Sequence, residues 1–497
     1  MSRAYHRLEE RAHEISSLRG ALGILSWDAA VMMPKGGSAS RGEQLATLEG
    51  IVHERLTGPE VCDWLDEAEV DPPAGEWQIA NLRELRRLHT LASALDRRLV
   101  EATARAVNDC EMRWRQARET NDFSALRPLL EEVLHLKREA GQARGEQMGL
   151  SPYDALMEEF EPGARCAWID PLFDDLASFL PEVLPRILDA QARQGDALPF
   201  TGGCPAADQE ALGRRLMRLL GFDFEHGRLD TSTHPFCGGT PDDVRITTRY
   251  EDDGFLRSLM GVLHETGHGQ YERGLPTAWR HQPVGHARGM ALHESQSLIV
   301  EMQACRSREF ISFLAPLARE AFGASGPAWE VSNLLRHVHH VERGFIRVDA
   351  DEVTYPAHVI LRYRLEARMI AGTLDIADLP DAWDHELEGL LGLRAPDHRR
   401  GCLQDIHWPS GGWGYFPSYT LGALSAAQLF AAMQDDHPAL LSEIATGQFE
   451  TFFHWLRTKV HSRGSSVSTQ DILREATGAG LATTAYKRHV QRRYLDA

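Results

Sequence analysis

The sequence lacks several features that mark particular classes of protein. Its 497 residues hold 53 lysines and arginines against 72 aspartates and glutamates, so no cationic excess is available for general nucleic-acid binding. No apolar run reaches the roughly 18–20 residues of a membrane-spanning helix. The first residues are charged and contain no signal-peptide core. Seven scattered cysteines argue against a disulfide framework. We therefore expect a cytoplasmic protein without nucleic-acid or membrane partners.

Strand-like alternation and low-complexity linkers are also scarce. Apolar residues instead recur every three or four positions, which is typical of amphipathic helices. Such helical runs cover residues 45–56, 82–99 and 129–136, the last with Pro128 in a first turn. The clearest strand is Asp243–Tyr250, where β-branched residues alternate. We expect a mainly α fold over residues 1–497: one large helical domain with a deep groove, or two lobes around a cleft, and a small β-sheet beside the helix that carries His264 and His268.

Histidine, in contrast, is abundant, and the sharpest motif contains two of the 23 histidines. His264-Glu265-Thr266-Gly267-His268 follows an apolar helical face. On a helix, His264 and His268 lie about 40° apart, one turn from each other, so both imidazoles can reach one metal ion. Glu265 is rotated by about 100° and can contact a water on that metal. Gly267 and Gly269 weaken the helix, which indicates a close approach to its backbone.

Two histidines leave a zinc site incomplete, so a third ligand is needed. A third histidine six residues after His268 would mark one large class of zinc proteases, but that residue is Gly274. Glu294, in the helical segment that follows, is the preferred ligand. Glu301 is an alternative ligand, although a role beside the ligands suits it better. Glu272 is expected to lie too far along the helix axis to bind the same metal ion.

His264-Glu265-Thr266-Gly267-His268 followed by His293-Glu294-Ser295-Gln296 resembles the carboxypeptidase Taq family of zinc metallocarboxypeptidases. Further segments resemble signatures of that family along nearly the whole chain: Trp27-Asp28, Met33-Pro34, His234-Pro235-Phe236, Asp243-Val244-Arg245-Ile246-Thr247, Ala350-Asp351-Glu352-Val353-Thr354-Tyr355 with His358, and Gly401-Cys402-Leu403-Gln404-Asp405-Ile406-His407-Trp408. One difference is Val300-Glu301-Met302-Gln303, where the family often has an aromatic residue, Glu and Asn.

The resemblance implies a mostly helical, saddle-like homodimer with a long groove and one zinc ion per chain at its floor, for which Co²⁺ could substitute. It implies that His264, His268 and Glu294 bind the metal and that Glu265 is the catalytic acid and base. The implied substrates are peptides with a free C-terminus, cleaved with broad side-chain tolerance.

A carboxypeptidase also needs a cation for the terminal carboxylate of its substrate, and arginine binds carboxylates through two hydrogen bonds. Arg362 would share one helix face with Tyr355 and His358, with Pro356 in the first turn. By the resemblance, Arg347 is an equal candidate. Either arginine could instead form a structural ion pair.

Other residues could line the groove. Tyr415 and Tyr419 lie in a predicted Gly/Pro loop, and Tyr419 is preferred for stabilising the oxyanion. Gln404, His407 and Arg245 are further substrate-binding candidates, although a buried, hydrogen-bonded role suits His407 better. A second histidine group, at positions 337, 339 and 340, is predicted on a surface helix or an interface.

Two other functions remain open at this point. One is an oligopeptidase or aminopeptidase on the same scaffold, although no Gly-x-Met-x-Asn signature for a free α-amine is present. The other is a non-catalytic metal-binding or peptide-binding protein. Glu265 argues against that alternative, because a site that only binds needs no base.

Overall fold

Helices follow one another along nearly the whole chain. The computed structural model describes residues 3–200, 202–252 and 254–496. The helices before the sheet are α1 (Arg3–Val31), α2 (Ser38–Thr57), α3 (Pro59–Val70), α4 (Glu76–Ser93), α5 (Arg97–Thr120), α6 (Phe123–Met148), α7 (Pro152–Met157), α8 (Cys166–Gln194) and α9 (Ala206–Leu219). The predicted mainly α class is confirmed.

Three strands separate these helices from a second helical series. The strands are β1 (Gly227–Thr231), β2 (Cys237–Thr240) and β3 (Asp243–Thr248). The later helices are α10 (Leu256–Gly274), α11 (Gly289–Leu298), a π-helix (Ile299–Cys305), α12 (Arg308–Phe322), α13 (Val331–Val338), α14 (Tyr355–Ile370), α15 (Leu379–Leu391), α16 (Pro417–Asp436), α17 (Leu440–Ile444), α18 (Glu450–Lys459), α19 (Thr469–Thr477) and α20 (Thr484–Tyr494). Among the described residues, no helix is both long and apolar enough to span a membrane.

Two of the predicted helix boundaries are wrong. The leucine run over residues 82–99 is interrupted between α4 and α5, where Asp96 caps α5 by accepting a hydrogen bond from the Leu99 amide at 2.7 Å. Pro128 is not in a first turn, because α6 begins five residues earlier, at Phe123. Periodicity alone could not locate either boundary, because the apolar spacing continues across both.

The small sheet lies against α10, as predicted. Its strand order is β1-β3-β2, with β1 parallel and β2 antiparallel to β3. The predicted central strand is confirmed, although it ends at Thr248 rather than Tyr250. A Cβ atom on Gly269 of α10 would lie 3.1 Å from the side chain of Val244 in β3. The absence of a side chain at Gly269 therefore lets the sheet pack closely on α10.

The helices α11 and α16 pack along each other between two apolar cores. Leu421 and Leu424 of α16 belong to a core built mainly on α6, α8, α14 and α15. Leu429 and Phe430 belong to a core built mainly on α9, α10, α12 and α18. A Cβ atom on Gly422 would lie 2.8 Å from Cβ of Glu294, so α16 approaches α11 closely at this point.

Candidate active site

Helix α10 presents His264 and His268 one turn apart. Their ring centroids lie 4.9 Å from each other and the rings are nearly perpendicular. A Cβ atom on Gly267 would overlap the carbonyl oxygen of Gln296 and Cα of Ser297. The expected close approach to this helix is therefore made by α11, whose backbone passes directly beside Gly267.

That approach brings Glu294 of α11 to the two histidines. Its carboxylate lies 3.7 Å from Nε2 of His268. The ligand atoms of His264, His268 and Glu294 all lie within 4.8 Å of one another, and this is the one such group of three found in the described part of the chain. Two imidazoles and a carboxylate are a donor set typical of catalytic zinc sites, so the residues fit that ion.

A second layer of side chains orients both imidazoles. Nδ1 of His264 lies 2.9 Å from Glu301, which also accepts a hydrogen bond from Arg306 at 2.6 Å. Nδ1 of His268 lies 2.7 Å from Nδ1 of His293. With each Nδ1 occupied, Nε2 is the nitrogen left to bind a metal, which is the usual arrangement of histidine ligands.

The two alternative ligands considered from the sequence, Glu301 and Glu272, lie in these outer layers. Glu301 contacts His264 directly, and Glu272 lies 2.8 Å from Nε2 of His293. Sequence reasoning did not identify His293 as a functional residue, although it immediately precedes Glu294. Its position beside the preferred ligand was the only available signal.

The electrostatics of the group favour a bound cation. Burial lowers the pKa of His264, but Glu301, Glu294 and Glu265 outweigh burial and raise it to about 10. Burial raises the pKa of Glu301, whereas Arg306 and His264 bring it down to about 2. The negative field that would stabilise an imidazolium at His264 equally stabilises a metal ion.

Glu265 is buried beside this group without being one of its three members. Burial raises the pKa of Glu265 to about 7, with a further rise from Glu294, although His264 opposes the change. A carboxylate whose pKa lies near neutrality is suited to accepting and returning a proton.

Both candidate arginines bind one carboxylate, that of Asp405. Arg347 donates to Oδ1 at 2.8 and 3.0 Å, and Arg362 donates to Oδ2 at 2.5 and 2.7 Å. Arg362 lies on α14 with Tyr355 and His358, as predicted, but its side chain has 0% exposure. Arg347 keeps 7% exposure. Only Arg347 therefore has surface left to contact a ligand.

Asp405 was not singled out from the sequence. Burial raises its pKa, but the charges of Arg362 and Arg347 hold it well below its usual range. It therefore carries a full negative charge between two cations. The only signal in the sequence was its place in the segment from Gly401 to Trp408, where it is the one acidic residue.

Aromatic side chains surround the guanidinium of Arg347. It lies 5.0 Å from the ring centroid of Tyr419 and donates to the hydroxyl of Tyr355 at 3.5 Å. Tyr415 packs edge-on against Tyr419, with 5.2 Å between ring centroids. Glu294 contributes to raising the pKa of Tyr355, Tyr415 and Tyr419, so this aromatic group adjoins the three-residue group.

The predicted loop position of Tyr419 is wrong. Pro417 begins α16, so Tyr419 lies in the first turn of a helix, and only Tyr415 precedes it. Proline is favourable at the first position of a helix, because the missing N–H would have no partner there. His407 lies 3.4 Å from the hydroxyl of Tyr419. Burial lowers the pKa of His407 to about 4, so it is neutral at pH 7.

The last two substrate-binding candidates, Gln404 and Arg245, both contact other groups of this chain. The Gln404 side chain accepts a hydrogen bond from the Arg347 amide at 2.9 Å and donates to the carbonyl oxygens of Phe345 and Arg400. Arg245 lies 4.3 Å from the ring centroid of Trp27 and pairs with Asp243 at 2.7 Å. Within the described residues, Arg245 has no hydrogen bond or ion pair with the other candidates. Gln404 therefore supports Arg347, whereas Arg245 pairs with Asp243 of the same strand.

Comparisons with known proteins point to one family. Residues 7–494 match the family model described as carboxypeptidase Taq (M32) metallopeptidase. The chain is 35% identical to thermostable carboxypeptidase 1 of Thermus thermophilus, over 99% of this chain and 98% of the relative. It is 32% identical to carboxypeptidase 1 of Bacillus subtilis, over 94% and 93% of the two chains.

Solved structures are similar over the whole length. Metallocarboxypeptidase 1 of Trypanosoma cruzi superposes with a TM-score of 0.97 at 39% identity, and the match covers 99% of each chain. The M32 carboxypeptidase of Deinococcus radiodurans gives a TM-score of 0.93 at 32% identity, over 100% of this chain and 99% of that one.

Proposed function

Because the chain belongs to the carboxypeptidase Taq (M32) metallopeptidase family, we propose that it is a zinc-dependent carboxypeptidase that releases C-terminal amino acids from peptides with broad side-chain tolerance. The observation that carries this proposal is the position of Glu265 beside the group formed by His264, His268 and Glu294. A metal site without a base would serve binding alone, whereas this one has a buried carboxylate suited to proton transfer.

The proposed metal is one zinc ion per chain, held by His264, His268 and Glu294, with Co²⁺ able to substitute. Three protein ligands leave a position open for water or substrate, which distinguishes catalytic from structural zinc sites. A zinc ion bound there would lower the pKa of the attacking water and polarise the scissile carbonyl.

Glu265 is the proposed general base and acid. Its carboxylate accepts the proton of the attacking water and then delivers it to the leaving amine. Burial supports this role, because a carboxylate in water would be too weak a base at pH 7.

Arg347 is the proposed partner of the substrate's terminal carboxylate. Asp405 and Gln404 hold its guanidinium and its backbone, respectively, so that little freedom is lost when substrate binds. Tyr419 is the proposed hydrogen-bond donor to the oxyanion, with Tyr415 and His407 packed beside it. Arg362 serves this site indirectly, by binding the second oxygen of Asp405.

We further propose that residues 1–497 form a single metallocarboxypeptidase domain, that two chains form a homodimer, and that the protein is cytoplasmic. The dimer is supported only by the family resemblance. Six of the seven cysteines, at positions 62, 110, 166, 237, 305 and 402, are free thiols, which suits a reducing compartment.

One assay tests the proposed activity against its alternatives. A single peptide would be offered as the free acid, with an amidated C-terminus and with an acetylated N-terminus, and the products identified by mass spectrometry. We expect stepwise loss of C-terminal residues from the free-acid and acetylated peptides, and slow cleavage of the amide. Internal cleavage of all three forms would indicate an oligopeptidase, and no cleavage of any by zinc-loaded protein would indicate a binding protein.

A further inference from the structure

A cavity of about 990 Å³ lies among α8, α12, α13, α16 and α20. Its lining does not include His264, His268, Glu294, Glu265 or Arg347, as far as the described residues show. Its volume lies at the upper end of the range for small-molecule sites, about 300–1,000 Å³. The cavity is therefore a separate space that the proposed peptidase reaction does not use.

The charge of this cavity is opposite to that of the chain. Five arginines line it: Arg308, Arg336, Arg488, Arg492 and Arg493. Three carboxylates line it: Asp196, Glu309 and Asp435. The chain as a whole has 53 basic and 72 acidic residues, with a net charge of −19. A local excess of arginine in so acidic a chain produces a field that attracts anions.

Four of the five arginines are not neutralised by an ion pair. Arg493 binds Glu352 at 2.8 Å. Among the described residues (3–200, 202–252 and 254–496), no carboxylate oxygen lies within 4.0 Å of a guanidinium nitrogen of the other four arginines, Arg308, Arg336, Arg488 and Arg492. The three lining carboxylates likewise form no ion pair with these arginines. The donors of four guanidinium groups are therefore available to a ligand.

The arrangement on α20 is unfavourable for the helix alone. Arg488 and Arg492 are four positions apart and so lie on the same face, where like charges repel each other. Both residues line the cavity. A bound anion would convert this repulsion into an attraction.

The start of α12 adds to the positive character of the cavity. Ser307 caps this helix of 15 residues by accepting a hydrogen bond from the Phe310 amide at 3.2 Å, and Arg308 is the first helical residue. Both residues line the cavity. The first turn of a helix has unpaired N–H groups and the positive end of the helix dipole, which favour an anion.

We propose that this cavity binds a small molecule that carries two or more phosphate groups. Guanidinium groups match phosphate oxygens through paired hydrogen bonds, and several guanidiniums offer more donors than one carboxylate could accept. The four arginines that no carboxylate neutralises exceed the three lining carboxylates by one, so the lining keeps a net positive charge that suits a small anion and is far too small for a nucleic acid. The site is independent of the peptidase function.

Isothermal titration calorimetry with inorganic pyrophosphate in 150 mM salt tests this proposal on the full chain. We expect one saturable site per chain, with the same affinity in zinc-loaded and metal-free protein because the cavity holds none of the candidate metal ligands. The double variant R488Q/R492Q should bind at least about tenfold more weakly, since each arginine contributes charge-assisted hydrogen bonds. R308Q, on α12, should also weaken binding. Because Arg308 lies on a different helix, a structural defect confined to α20 could not explain the weaker binding of both variants.

The matched control is R113Q/R457Q, which removes the same charge from two exposed arginines on α5 and α18, helices that do not line the cavity. It should bind pyrophosphate as the unmodified chain does. The proposal is overturned if binding does not saturate, if R488Q/R492Q binds normally, if the control is weakened equally, or if binding disappears with the metal. A nucleoside diphosphate that competes with pyrophosphate for the same site would extend the ligand class to organic phosphates.

Discussion

His293 lies between His268 and Glu272, with its Nδ1 2.7 Å from Nδ1 of His268 and its Nε2 2.8 Å from the Glu272 carboxylate. The chain of hydrogen bonds fixes which nitrogen of His268 faces Glu294. Such outer contacts commonly change metal affinity by about 10–100-fold when they are removed.

We therefore expect Glu272→Ala and His293→Ala to lower zinc affinity by about 10–100-fold, measured by competition with a chromophoric chelator. Glu272→Gln is the control, because its side-chain oxygen can still accept the hydrogen bond from His293. Its zinc affinity should stay close to that of the unmodified protein. An equal loss of zinc affinity in Glu272→Gln and Glu272→Ala would show that the hydrogen bond to His293 does not determine the zinc affinity.

Removing the proposed carboxylate ligand should have a larger effect. Glu294→Ala leaves two imidazoles, so zinc content after dialysis should fall far below one per chain while the circular dichroism spectrum is retained. The large apolar cores lie outside this group and should keep the fold. Glu320→Ala, which removes an exposed carboxylate, should retain stoichiometric zinc. A Glu294→Ala protein that keeps both zinc and activity would disprove the ligand assignment.

Binding and chemistry can be separated at Glu265. Glu265→Gln is nearly isosteric and should keep zinc while kcat falls by about 10²–10⁴-fold, the usual effect of losing a general base. Glu272→Gln makes the same chemical change two turns later on α10 and should leave kcat nearly unchanged. Near-normal turnover by Glu265→Gln would rule out its role as the base.

Glu352 should make stability depend on pH. It binds Arg493 at 2.8 Å and His489 at 2.6 Å. Burial raises its pKa, but these partners outweigh burial and hold the pKa well below the ordinary value of 4.5. The stabilisation is therefore fully present above about pH 4.5 and is lost as the pH falls below that value.

Glu352→Gln should accordingly lower the free energy of unfolding at pH 7 by about 3–5 kcal/mol, the usual effect of breaking a buried pair. Its stability should then fall less than that of the unmodified protein between pH 5 and pH 3. Denaturant unfolding at several pH values measures both effects. Parallel curves for the two proteins over that range would contradict the assigned ionisation of Glu352.

The residues of the candidate metal site could be predicted because local helical geometry controls them. His264 and His268 are four residues apart on one helix, and Glu294 belongs to the next helix along the chain. Arg347 and Arg362 were recognisable as candidates, but the sequence could not choose between them. That choice depends on how Asp405 and α16 pack around them, and no periodic pattern records such a contact.

The cavity lined by Arg488 could not be predicted for a related reason. Its lining comes from seven helices between residues 187 and 494, and no short segment carries its signature. The histidines at 337, 339 and 340 all line it, but only His337 lies on a helix, because α13 ends at Val338.

The central claim is that the protein is an exopeptidase in which Arg347 binds the free C-terminal carboxylate of the substrate. The direct test is the ratio of kcat/KM for one peptide as free acid and as amide, in the unmodified enzyme and in Arg347→Met. Losing one partner of a buried charge pair costs about 2–5 kcal/mol, so we expect a ratio of about 30 to several thousand that collapses towards one in Arg347→Met. Arg362→Met, whose side chain is fully buried, should lose stability while retaining a clear preference for the free acid. An unmodified enzyme that cleaves both peptides equally well would contradict the account.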